Sequence, residues 1–362
     1  MRKYIYMIFA AALLAVSCEN TADIVWSDEN DALLVVNSQI RQDQKQHSVW
    51  VELSDGGNSS WLTDAKVVIN INGGASITAR PIVEEWEAYS GYMIEEFKGY
   101  CFDADLEAGD EISIQVGWKT LSASARVTVP ESAAKITALD TMRVVLAESG
   151  PNGGDTRTTR QYIITVKDKE GENNYYMLAV QDVYYRLDAS GRRIASFETR
   201  GYFDAKYDRM LHPLENELLE DIGIGDDNDY ELFNDEMFAD ASCTLKVYDS
   251  YYGVYRDDFT KFFEQFEEGD SYCMDRRIKI YTIPFDEYLY LKAISTAYDS
   301  LEFLTEPIIY PENVSGGLGF VTAITPEVWT IEFPAQAYTG EPPFNAYRYI
   351  DPMPEFPDDY YY

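Results

Sequence analysis

The sequence predicts a mainly β protein: an N-terminal immunoglobulin-like β-sandwich, then a second β-rich domain with a few short helices. Two observations predict the strands. Apolar residues alternate with period two in short runs, as in Val67, Ile69 and Ile71 or Ile112, Ile114 and Val116, which places every other side chain on one face of a strand. Gly, Asn and Asp break these runs at short intervals, the punctuation of antiparallel sheets. A third observation concerns the core: hydrophobic residues make up 46% of the chain, with 29 tyrosines, enough for a folded interior and too many for general disorder.

The chain opens on a targeting segment. Arg2 and Lys3 form a basic start, Ile5 to Val16 is uncharged and apolar, and Ala15, Val16 and Ser17 place small residues before Cys18. This is the layout of a secretory signal peptide over residues 1–17. An apolar run of about a dozen residues is shorter than the roughly 20 needed to cross a bilayer as a helix. A small-residue site ending on cysteine has the form of a bacterial lipobox, in which the Cys18 thiol is diacylated, the leader is cut before it and the new amine is acylated. Each buried methylene contributes about 0.8 kcal/mol, so two or three chains hold a domain stably on membrane lipid. Residues 18–30 then read as a polar, acidic tether. Losing Arg2 and Lys3 takes the formal charge from −34 to −36. With no strongly basic block left, nucleic acid and anionic headgroups are poor partners.

The first domain spans residues 31–130. "ALLVVNSQI" opens it, "HSVWVELSD" alternates through Val49, Val51 and Leu53, and "AKVVININGG" ends at the Gly73-Gly74 turn. "DEISIQVGWKTLSASARVTVP" continues with period two until Pro130 closes the block. Glu131 to Arg160 reads as a junction because of "ESGPNGGDTRTTR". The second domain, 131–334, has clear strands in "RQYIITVKD", "NNYYMLAVQDVYYRLD" and "SCTLKVYDSYYGVY". Three stretches predict helices: "HPLENELLEDIG", "DDFTKFFEQFEEGD" with Phe259, Phe262, Phe263 and Phe266 in one stripe, and "TIPFDEYLYLKAISTAYDSLEFL" with Leu291, Ile294, Tyr298 and Leu301 on one face. Residues 335–362, rich in Pro, acid and Tyr without periodicity, read as an extended or disordered tail.

Candidate chemistry is sparse. After export three cysteines remain, and Cys243 with Cys273 is the candidate disulfide, weighed against buried thiols. "PENVSGGLGF" packs Gly316, Gly317 and Gly319 into four positions. No Lys follows as a P-loop requires, and Thr322 stands where a dinucleotide fingerprint needs its third glycine. The three glycines therefore read as a structural turn whose backbone uses positive φ. Asp227, Asp229 and Glu231 alternate like the start of an EF-hand, a candidate calcium set, although Leu232 replaces the glycine that loop needs. With only His47 and His212 in the chain and no G-x-S-x-G elbow, neither a zinc site nor a serine triad is written in the sequence. No cofactor is expected.

The lipobox, "LLVVNSQI", "VWVELSDG", "TDAKVVI", "AGDEISIQVGWKTLSASARVTVP", "ENNYYMLAV", "ELFNDEMFADASCTLKVY", "FDEYLYLKAI" and "TEPIIYPENVSGGLGF" follow one another in an order that resembles the Bacteroidota lipoprotein family known as domain of unknown function 4249. The likeness covers most of Asp31 to Phe320. The Phe-rich Asp257–Gly269 stretch and the residues after Phe320 depart from it. The resemblance implies two β-rich domains, an outer-membrane lipoprotein at the cell surface or on the periplasmic face, frequent association with TonB-dependent transporters, and no catalytic residues. Asp140-Thr141-Met142 and Asp299-Ser300-Leu301 further resemble the O-glycosylation sites of exported Bacteroidota proteins, making Thr141 and Ser300 candidates. The expectation is a non-catalytic binding or accessory lipoprotein of a TonB-dependent transporter, its small-molecule ligand undetermined. A structural, fimbrillin-like adhesive protein is the alternative, and a hydrolase, whose paired carboxylates spacing alone does not reveal, is a third.

Overall fold

The first strands are β1 (Leu33–Arg41), β2 (Gln46–Asp55), β3 (Asn58–Trp61), β4 (Lys66–Ile71), β5 (Ile77–Thr78), β6 (Arg80–Glu87), β7 (Met93–Asp103), β8 (Glu111–Trp118) and β9 (Leu121–Thr128). After Pro130 come β10 (Ala134–Glu148), β11 (Asp155–Asp168), β12 (Tyr175–Leu187), β13 (Arg193–Gly201), β14 (Phe203–Asp204), β15 (Leu232–Asn234) and β16 (Ser242–Asp249). Helix α1 (Asp257–Glu264), β17 (Ser271–Ile283), α2 (Phe285–Asp299), β18 (Val321–Glu332) and β19 (Gln336–Ala337) complete the chain. This computed structural model describes residues 32–340, apart from 56–57, 88–92, 149–154, 202, 206, 213–227, 229, 239–240, 250–256, 268 and 300–309. The first predicted helix, at 212–223, falls almost wholly outside the described residues.

The molecule is mainly β, built as sandwich-like pairs of sheets. A long sheet in the order β13-β12-β17-β18-β1-β2-β7-β6 forms its backbone, with β15, β19 and β3 added at the margins. Two four-stranded sheets, β5-β4-β8-β9 and β10-β11-β16-β14, cover it. Along β18, Val321 and Ala323 join the core under the first small sheet, and Trp329 and Ile331 pack on the core under the second. These four share one parity, so both small sheets lie on the same side of the long sheet.

Alternation explains the first core. Leu34, Val36, Ser38 and Ile40 of β1 are buried while their neighbours are half-exposed. They meet Val67 and Ile69 of β4 and Ile112, Ile114 and Val116 of β8. The buried Tyr100 hydroxyl accepts from Ala65 N at 2.7 Å and donates to Leu62 O at 2.8 Å, so its burial leaves no polar atom unsatisfied. In the second core, Tyr162, Ile164 and Val166 of β11 and Leu245 and Val247 of β16 face Tyr176, Leu178, Ile278 and Ile280.

One sheet runs through both predicted domains. Strand β1 pairs antiparallel with β2 and, further along, parallel with β18, Ser38 opposite Val321 and Arg41 opposite Ile324. Val314, Val321 and Ala323 therefore belong to the first core, although the sequence boundary at Pro130 assigns them to the second domain. The segment read as a junction is instead a long hairpin: β10 and β11 pair from Ala134–Asp168 to Glu148–Asp155. Its threonines are strand formers, and only the Gly/Pro cluster at 149–154 separates the arms. The tail also starts as structure. Gln336 and Ala337 pair with Tyr272 and Ser271, and the Tyr338 ring stacks 6.1 Å from that of Phe263.

The first described helix follows its predicted stripe, and the second does so at Leu291 and Ile294, its other two predicted positions, 298 and 301, lying outside the described side chains. Phe259, Phe262, Phe263 and Phe266 are all buried with Tyr184, against Phe197 and Tyr272. Leu291 is buried, with Ile294 beside it, on the opposite face of the long sheet, next to Tyr281 and Ile283. Pro284 precedes α2, and its carbonyl accepts from Tyr288 N at 3.0 Å to open the first turn.

Candidate functional site

The sequence candidates fall in different places. Cys18, Asp227, Asp229 and Ser300 lie outside the described residues. Thr141 sits exposed on β10. Cys243 and Cys273 do not form a bridge: with Cys101 they are free and buried. Cys243 lies on β16, opposite Val166 and inside the second core, whereas Cys273 lies on β17 opposite Tyr185, so they belong to different sheets. Burial pushes the Cys243 thiol up to about 12, which suits an inert core residue.

Gly316, Gly317 and Gly319 let the last segment press against the first core. Gly316 and Gly319 have φ of 77° and 109°, whereas Gly317, expected to share that backbone, does not have positive φ and is required by its close approach to Leu34. A side chain on Gly316 would meet Ser122 O at 2.6 Å, and side chains on Gly317 and Gly319 would strike the carbonyls of Leu34 and Val36. Main-chain bonds close the seam: Val36 N donates to Leu318 O at 2.9 Å, and Leu318 N donates to Leu34 O at 2.8 Å. Asn313 adds both halves of its amide to Val321, at 2.6 and 2.9 Å.

Glu231 alone of the candidate calcium set is described, and it occupies a strained corner. Its φ is 51°, a region side chains enter only when the surroundings impose it. Asn228 does so here by bonding Leu211 O, Leu232 O and Leu232 N, each at 2.8 Å. The carboxyl lies 3.8 Å from His212 Nε2, within ion-pair reach and too far for a hydrogen bond, and its Oε2 is buried without one. Burial pushes this acid up, and His212 and Arg200 offset the rise only in part. Among the described residues no three His, Cys, Asp or Glu side chains converge as a metal site would need.

The strongest electrostatics lie on β17. Arg276 grips Asp182 through Nε and Nη2, both at 2.7 Å, while its Nη1 donates to Asp249 and, at 2.7 Å, to the Tyr162 hydroxyl. This tie joins the long sheet to the second small sheet between their two apolar clusters. On the opposite face Arg193 holds Asp275 at 2.8 and 2.9 Å. Lys279 reaches across to Asp43 in the β1–β2 turn at 2.5 Å, and the Tyr281 hydroxyl lies 3.3 Å from the same carboxylate. Nearby, the Glu287 carboxyl of α2 is buried and accepts from Gln39 Nε2 at 2.7 Å. Desolvation pushes it up to about 7, against smaller downward pulls from Gln39 and Arg41. Chemically, Arg276, Arg193 and Lys279 are each neutralised by a carboxylate, and the Lys279–Asp43 and Gln39–Glu287 contacts fasten the two halves together.

The sequence match over residues 19–328 is to the family described as Domain of unknown function (DUF4249). The chain belongs to the DUF4249 family. No curated protein matches this DUF4249 chain. Among solved structures it is similar to a DUF4785 family protein from Legionella pneumophila, at 9% identity and a TM-score of 0.19, over 68% of this chain and 51% of the other. The DUF4249 chain thus spans about half of that protein, and a score this low carries no argument about fold.

Sequence reasoning did not find the β17 charges. Arg276 and Asp182 are 94 positions apart, and Lys279 and Asp43 are 236 apart, so spacing holds no trace of either pair. One signal was available: "CMDRRIKIY" places charges inside an otherwise apolar strand, where charge is costly unless paired.

Proposed function

We infer that this DUF4249 chain is a non-catalytic lipoprotein, anchored in the outer membrane through acylated Cys18, that serves a TonB-dependent transporter as a binding or accessory partner. One observation carries the non-catalytic reading: the two most buried cations among the described residues, Arg276 and Lys279, are each taken up by carboxylates. Their role is to fasten sheets, and nothing about them is poised for a substrate. The lipobox and the acidic charge support the anchor, and the outer-membrane location and the partner rest on what the resemblance to the Bacteroidota lipoprotein family implies.

Two measurements test this reading. Mass spectrometry of the exported protein is expected to find a triacylated Cys18 as its first residue; a chain beginning elsewhere with a bare thiol defeats the anchor. Affinity purification of the tagged full-length chain from detergent-solubilised outer membranes is expected to bring down a barrel transporter. Recovery of the chain alone, with no small solute bound, defeats the partner. A fimbrillin-like adhesive role is favoured by one feature, the long edge of β10 that is unpaired among the described residues, and predicts strand-exchanged oligomers.

A further inference from the structure

The β10–β11 hairpin reaches beyond the core it helps to build. Ile136 of β10 is buried and Leu139 packs on the second core, yet the strand continues to Glu148. Over that distal stretch the pairing is regular, because the one register shift lies between Ile136 and Ala138. Strand β10 closes its sheet and, among the described residues, pairs only with β11. The usual guards of such an edge are proline, bulges and repeated inward charge. Here the segment "ALDTMRVVLAE" has neither proline nor glycine, and Met142 and Val145 are 50% and 65% exposed on opposite faces.

Charge distinguishes the edge from a mere liability. Arg143 stands directly opposite Arg160, a like-charge cross-strand pair that is unfavourable by itself. Both point to the side of Tyr162, where the Arg160 guanidinium lies 4.8 Å over the Phe333 ring. Arg143 is exposed and has no ion-pair partner among the described residues. An anion beside Arg143 would relieve the repulsion.

We propose that the outer edge of β10 is a docking strand for an acidic, extended segment of a partner protein. Main-chain hydrogen bonds to residues 138–148 supply the affinity, and side chains alternate between the Met142 face and the Arg143 and Val145 face. A carboxylate on the latter face bridges to Arg143. This surface does not depend on the partner being a transporter. A second copy paired through its own β10 is the poorer occupant, since Asp140 and Glu148 share the Met142 face and strand-to-strand pairing brings no carboxylate of residues 138–148 to the Arg143 face.

The test uses the full-length chain in detergent and three ten-residue probes: alternating Thr and Glu, alternating Thr and Lys, and the Thr/Glu peptide with alternate amides N-methylated. The Thr/Glu peptide is expected to bind, with the Lys and N-methylated forms about tenfold weaker or worse, as expected when a charged contact or a row of main-chain bonds is lost. Arg143→Glu and Val145→Glu are each expected to weaken Thr/Glu binding by about tenfold, with unchanged melting temperature because both residues are exposed. Equal binding of all three peptides, or no binding at millimolar concentration, overturns the proposal. Concentration-dependent self-association that Val145→Glu abolishes and the peptide does not displace also overturns it, in favour of a second copy.

Discussion

Glu287 is an acid whose surroundings oppose its charge, and this gives the protein a pH dependence with a definite sign. Its folded pKa, about 7, lies above the ordinary 4.5, so the folded state holds the proton more tightly than the unfolded chain. Its stabilisation is complete below about pH 4.5 and fades as pH rises toward 7. The loss is on the order of 3 kcal/mol. Urea midpoints at pH 5 and pH 7.5 measure it, and Glu287→Gln is expected to remove most of the difference; an unchanged difference means the acid is already ionised at pH 5. Arg276 behaves differently, because its partners are charged. Arg276→Ala leaves Asp182 buried and unpaired, and the expected cost is about 3–5 kcal/mol, whereas joint replacement by Met and Leu is expected to recover much of it. A double mutant no more stable than the single one contradicts that account. Neither residue was legible as special in the sequence, since each role is created by a partner that folding delivers from far along the chain.

Among the elements, the glycine seam beside β1 is the most constrained, and here the sequence was informative. Three glycines in four positions announced a backbone with unusual φ, which Gly316 and Gly319 have and Gly317 does not, and the missing Lys removed the phosphate reading. What the loop presses against could not be seen, because Leu34 and Val36 lie some 280 positions away in the chain. Gly319→Ala combines positive φ with a collision at Val36 O, while Gly109→Ala has φ of 90° with open space around it. Chemical denaturation is expected to show a loss of about 2–4 kcal/mol for the first and about 1 kcal/mol for the second. Equal losses would mean that φ alone matters and the close approach does not. The phenylalanine stripe of α1 was readable from its helical spacing. Its destination, the Tyr184 end of the long sheet, was not, since apolar periodicity says that a face is buried without saying against what.

For the whole molecule, the strand alternation revealed the class and most strands, but it did not reveal that one sheet crosses the border drawn at Pro130. Period two marks which face a residue takes, and contains nothing about which strand lies beside it. The parallel pairing of β1 with β18 is such a fact, and it makes one sheet of what the sequence divides at Pro130. A fragment of residues 31–130 is therefore expected not to fold alone, lacking the Val321 and Ala323 side of its core. Circular dichroism and amide exchange on that fragment check this. Calorimetry of the intact chain is expected to give one transition, with matching van't Hoff and calorimetric enthalpies. Two separate transitions would restore the independent domains.

The placement of β1 between β2 and β18 has a mechanical consequence. Tension entering at Leu33 runs along the strand axis, parallel to the interface with each neighbour. Its inter-strand bonds are then strained together in shear and cannot open singly from an end. Stretching single molecules from residue 31 is expected to need a higher rupture force than peeling the chain from its exposed β6 margin.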